Sequence, residues 1–157
     1  MALTPKEKEL AAVGISVAAG CRPCTSYHVR EVRKAGATDP EIRQAIENAV
    51  RIREDATEAM QEQGLRHLGG DVDGAGSRDP GATTRVQELV AVGAAFAVNC
   101  TSNLEKHLEA DRHLGITDEE IREVVTLSTF IKKMAASHVE KVVGVTEATG
   151  AAPGCCS

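Results

Sequence analysis

Four times along the chain a threonine is followed three residues later by a glutamate or glutamine: Thr4/Glu7, Thr38/Glu41, Thr84/Gln87 and Thr117/Glu120. In each pair the hydroxyl can cap the first turn of a helix while the longer side chain caps back, so four helix starts of one design are expected. The apolar positions downstream recur at helical spacing, as in Ile42, Ala45, Ile46 and Ala49, and again in Ile121, Val124, Val125, Ser128 and Ile131. No segment alternates convincingly enough to read as a strand. Two shorter helices are expected to begin near Pro23 and Asn103 and to end at Gly36 and Gly115, glycines suited to the left-handed residue after a helix. The pattern predicts an all-α fold.

The run from Gly69 to Gly81 is dense in turn formers and nearly free of large apolar groups, which marks a linker. On either side of it the sequence repeats at a constant offset of 79 residues, pairing Glu9 with Glu88, Gly14 with Gly93, Cys21 with Cys100, His28 with His107 and Gly36 with Gly115. Thr38-Asp39-x-Glu41-Ile42-Arg43 returns as Thr117-Asp118-x-Glu120-Ile121-Arg122. A duplicated three-helix unit follows, each copy too small to bury its own apolar face and so packed against the other. The expected organisation is one domain over 4–147, with a first repeat of about 4–65, a linker of about 66–82 and a second repeat of about 83–147. A tail over 148–157, flexible in composition, carries Cys155 and Cys156.

Composition narrows the function classes. The 157 residues are 42% hydrophobic and 26% charged, as in a globular domain, and a net charge of −5 with no basic, aromatic-interleaved cluster argues against nucleic acid. The longest apolar stretches, Ala11–Gly20 and Leu89–Val98, fall well short of a bilayer span, so no membrane partner is expected. The N-terminus runs directly into a charged helix start, and a cytoplasmic location is expected. Five cysteines in that setting point to redox or metal chemistry rather than a stapled scaffold.

Cys21 and Cys24 are spaced to close a disulfide across the first turn of a helix, whose N-terminus favours a thiolate. Helix position puts Cys24 where that effect is expected to be largest, with Cys21 as its resolving partner, although the order can reverse. His28, four residues beyond Cys24, shares its helix face and can accept the thiol proton or pair with the thiolate. No other cofactor is required beyond this redox-active pair.

The block Ala18-Ala19-Gly20-Cys21-Arg22-Pro23-Cys24-Thr25-Ser26-Tyr27-His28-Val29-Arg30, with Ala35-Gly36-Ala37-Thr38, Glu41-Ile42, and Glu9 twelve residues before Cys21, resembles the carboxymuconolactone decarboxylase superfamily and within it the alkylhydroperoxidase D (AhpD-like) branch. The resemblance implies an all-α fold, reduction of a peroxide or disulfide substrate by the cysteine pair, a proton relay through Glu9 and His28, recycling by a thiol reductant protein, and assembly into homotrimers. In those enzymes the dithiol lies in the second half. Here it lies in the first, and the second half offers Cys100 with Asn103 and His107, plus Glu88, as a second site that lacks a resolving thiol.

Geometry constrains Glu9. Twelve residues of continuous helix span about 18 Å, so Glu9 can meet His28 only if the chain reverses near Gly20; otherwise it is a solvated surface residue. His107, with no dithiol beside it, reads more readily as structural, and His67, His113 and His138 read as surface or packing residues. Cys155 and Cys156 are candidate auxiliary thiols or a disposable tail. Two rival readings remain: a zinc site of Cys21, Cys24, His28 and a tail cysteine, and a decarboxylase-type acid–base enzyme in which the thiols are incidental.

Overall fold

All four expected capping boxes form with both arms in place, and the helices they open carry the fold. A computed structural model describes residues 2–69 and 83–144. Within them the chain forms α1 (Pro5–Ala18), α2 (Arg22–Lys34), α3 (Asp39–His67), α4 (Arg85–Ala97), α5 (Thr101–His113) and α6 (Asp118–Val143), with no strand among the described residues. The chain is all-α and built of two equivalent three-helix units, α1–α3 and α4–α6. α3 runs past residue 65, where the first repeat was expected to end, because exposed Gly64 does not break the hydrogen-bonded ladder. The rest of the expected linker, 70–82, and the cysteine-bearing tail lie outside the described residues.

The turns between helices repeat as the sequence does. Gly36 and Gly115 adopt φ of +85° and +69°, and the amides of Ala37 and Ile116 reach back to the carbonyls of Val32 and Asp111. These are Schellman closures that satisfy the last carbonyls of α2 and α5. α1 and α4 end the same way at Gly20 (φ +70°) and Asn99 (φ +60°), the latter using the one common non-glycine alternative for this conformation. Each of these turns hands the chain to a cysteine: the Cys21 amide bonds Ser16 O and the Cys100 amide bonds Ala95 O.

α1 and α4 form the centre. Their middle turns are apolar nearly all round and buried, as expected of helices enclosed on every side. At the paired glycines there is no room for a side chain between them. A Cβ on Gly14 would stand 2.5 Å from Val90 Cγ1, and one on Gly93 2.6 Å from Ile15 Cγ1. α2 packs on α1 and α5 on α4, while α3 and α6 each touch both central helices. Each long helix is therefore shared between the repeats. Ion pairs at the helix starts tie the elements together, Lys6 with Glu41, and Arg85 with both Glu7 and Glu120. The far ends of α3 and α6 leave apolar side chains exposed, Met60, Leu65 and Leu68 on and just after α3, and Val139, Val142 and Val143 on α6. Among the described residues no helix is long and apolar enough to cross a membrane.

Candidate active site

The reversal at Gly20 makes Cys21 the residue that caps α2 and Cys24 the third residue of its first turn. The two sulfurs are joined in a disulfide with Cα atoms 5.3 Å apart. Both residues are buried and belong to the main apolar core, which Leu127, Phe130 and Met134 of α6 also cover. Cys21 Sγ accepts the Cys24 amide at 3.3 Å. The amide that helix position had led us to associate with Cys24 thus stabilises the other sulfur, because the capping residue, and not the one inside the turn, aims its side chain at the free N–H groups. Cys21 also lines an open groove with Gly20, Arg22, Thr25 and Ser26, and Cys24 does not.

The same reversal brings Glu9 of α1 to His28 of α2. Glu9 Oε2 lies 2.8 Å from His28 Nδ1, so Glu9 is a partner of the histidine and not a solvated surface residue. This contact fixes Nδ1 and leaves the other ring nitrogen for exchange. Tyr27 meets the His28 ring edge-on, with centroids 5.0 Å apart.

A different histidine stands at the sulfurs. His138 of α6 has a ring nitrogen that lies within 4.8 Å of both Cys21 Sγ and Cys24 Sγ, and the two sulfurs and that nitrogen form the one such group of potential metal ligands among the described residues. His28 is not part of it. The zinc set anticipated from spacing is therefore altered: His138 takes the place given to His28, and the tail cysteines lie outside the described residues. No local motif surrounds His138, and although the offset comparison marks it as a departure from Ala59, nothing in the sequence pairs it with the two cysteines. Only the packing of α6 against the first repeat does. His67 and His113 are exposed, as expected.

The second repeat builds the matching acid–base pair without the dithiol. Glu88 Oε2 and His107 Nδ1 are 2.7 Å apart, both side chains buried. The structure gives His107 a defined carboxylate partner where a mere packing role was expected. Burial raises Glu88, but hydrogen bonds from His107 and Thr83 and the charges of His107 and Lys106 outweigh it and lower its pKa overall. Cys100 is a free buried thiol with its sulfur 3.4 Å from Ser102 Oγ, and it makes no capping bond. Asn103, standing where Cys24 does, buries an Nδ2 without a partner.

Asp111, one helical turn beyond His107, is fully buried, and neither carboxyl oxygen has a hydrogen-bond partner. Loss of hydration, reinforced by the nearby Glu88 charge, pushes it up to about 7. Its first-repeat equivalent is Val32, so the offset comparison could have singled it out. A cleft beside Glu88 and His107 is completed by Asn48, Arg51 and Asp55 of α3. α3 thus reaches the second site with Asn48, Arg51 and Asp55, as α6 reaches the first with His138.

The sequence model of the carboxymuconolactone decarboxylase family matches the chain twice, over residues 1–62 and 59–146. No curated protein and no solved structure matched it.

Proposed function

The chain belongs to the carboxymuconolactone decarboxylase family, in two tandem copies, and on that footing we propose that it is a thiol-dependent peroxidase or disulfide reductase of the alkylhydroperoxidase D kind. The observation that carries this reading is the Cys21–Cys24 pair, bonded at the N-terminus of α2, with Cys21 bordering an open groove and with His28 further along the same helix paired to Glu9 of α1. A sulfur that accepts a helix N-terminal amide is stabilised as thiolate, the form that attacks peroxide or disulfide. The groove and the amide both favour Cys21 as the sulfur that meets substrate, with Cys24 resolving, the reverse of the order that position alone suggested.

In the peroxide reaction the Cys21 thiolate takes one oxygen from the hydroperoxide, giving a sulfenic acid and an alcohol. Cys24 then displaces water to close the disulfide, and a thiol reductant reopens it. His28, oriented by Glu9, would serve the first step, taking the Cys21 thiol proton and returning one to the departing alkoxide. Assembly into a homo-oligomer, a trimer by family resemblance, belongs to the same reading and is supported by the apolar ends of α3 and α6.

Peroxide consumption by reduced protein under a dithiol reductant tests the proposal. Cys21→Ser and Cys24→Ser should each abolish turnover, and Cys100→Ser should leave it largely intact. If Cys100→Ser is as inactive as Cys24→Ser, the centre lies in the wrong half. If the serine variants keep full activity on a carbon-acid substrate that Glu9 and His28 variants lose, the decarboxylase-type reading replaces this one.

A further inference from the structure

The His138 ring presents a buried Nε2 with no hydrogen-bond partner. Such an atom costs on the order of 1–3 kcal/mol to bury, so its position calls for an explanation. The ring sits beside the two bonded sulfurs, and the repeat supplies a control. At the 79-residue offset Cys24 becomes Asn103, and the residue whose offset partner is His138 is Ala59. The histidine and the second cysteine are thus present together at one site and missing together at the other.

We infer that His138, reaching across from the second repeat, is the proton carrier of the Cys21–Cys24 pair. The inference rests on the dithiol reading above and adds the residue that makes the buried sulfur usable. Cys21 can leave as a thiolate, because its sulfur accepts an amide and borders the groove. Cys24 is buried and, unlike Cys21, does not line the groove, so its proton is best supplied by a neighbouring side chain.

When an external thiolate bonds to Cys21 Sγ, the Cys21–Cys24 bond breaks and its electron pair goes to Cys24 Sγ, which takes a proton from the His138 imidazolium. A second external thiolate then bonds to the sulfur attached to Cys21, releasing an external disulfide and the Cys21 thiolate. The two external thiols are oxidised to the external disulfide and the protein disulfide is reduced; of the two protons those thiols release, one replaces the proton His138 has given to Cys24 and the other stays in solution, Cys21 being left as thiolate. In the opposite direction neutral His138 takes the Cys24 proton as that sulfur attacks. His28, held by Glu9, is the competing candidate.

The test is the rate at which dithiothreitol opens the oxidised protein, measured for wild type, His138→Gln, His138→Ala and His28→Ala. Helicity and the Cys21–Cys24 bond, mapped by mass, are checked in each. Both His138 variants should be slowed roughly 10²-fold, a loss typical of removing a positioned acid. Added imidazole should restore His138→Ala and leave wild type unchanged, with substituted imidazoles ranked by their basicity, an order that filling a cavity would not produce. Folded, disulfide-bonded His138 variants that open at the wild-type rate would overturn the inference. So would a loss confined to His28→Ala, or one zinc ion held by reduced wild type and lost in His138→Gln, which would make His138 a metal ligand. Because the assay uses no peroxide, a protein that opens as described but consumes none sinks the peroxidase reading alone.

Discussion

Replacing Asp111 with valine, the residue at the equivalent Val32, should stabilise the protein, and more so as the pH rises. The carboxyl has an ordinary value of 3.8 in the open chain and about 7 when folded. Between those values the folded state holds a proton that the unfolded state has lost, so this group makes stability fall as pH increases through the window and contributes its full penalty above it. Three units at about 1.4 kcal/mol each give a penalty of about 4 kcal/mol at alkaline pH, absent below the unfolded value. Valine is close in shape, removes two unpartnered oxygens, and forgoes little packing at a fully buried position. A gain of about 2–4 kcal/mol at pH 8 is therefore expected, which for a chain of this size is a Tm rise of roughly 5–15 °C. The assay is urea unfolding of both proteins from pH 4 to 8. Taking the difference between them cancels most of the opposite trend from Glu7 and Glu120, whose lowered values make them lose stability as pH falls. A difference that stays flat across the range would refute the reasoning, because it would mean that Asp111 does not titrate differently in the folded state.

Gly93→Ala should destabilise by about 1–3 kcal/mol in the same unfolding assay, since its methyl would meet Ile15 at the α1–α4 crossing; a neutral effect would mean that the helices separate easily there. Thr84→Ala, which removes the hydroxyl accepting the Gln87 amide at 3.3 Å, should cost about 1 kcal/mol. Iodoacetamide should alkylate the reduced dithiol several-fold more slowly at neutral pH in His28→Ala, and unchanged rates by mass mapping would make His28 a packing residue. Light scattering should find a homo-oligomer, with a trimer expected, and a monodisperse monomer would contradict the assembly.

Much of the architecture is written locally. Capping boxes, turn glycines and the offset are properties of neighbouring residues, and α1 to α6 begin within two residues of where those signals place them. The site was legible as far as local geometry reaches. Cys21, Cys24 and His28 lie within two turns of one helix, and the glycine reversal that joins Glu9 to His28 was a stated condition of their meeting. What could not be read was any relation set by packing between the repeats. His138 lies 114 residues beyond Cys24 in the chain and meets it only because α6 lies across the first unit. The assignment of the helix amide to Cys21 depended on where the helix begins, since a one-residue change in that boundary moves the capping role to a different side chain.

Because the third helix of each unit covers the reactive groups of the other, the two halves of this chain cannot change their chemistry independently. Leu127, Phe130 and Met134 of α6, which pack on the apolar core that holds the dithiol, correspond to Asn48, Arg51 and Asp55 of α3, which line the cleft at the second pair. An engineer who wishes to alter what reaches Cys21 should therefore edit the C-terminal unit, and one who wishes to give the Glu88–His107 pair a new substrate should edit the N-terminal one. Cutting the chain between the units would yield two fragments, each holding its reactive side chains without the surface that selects what they touch.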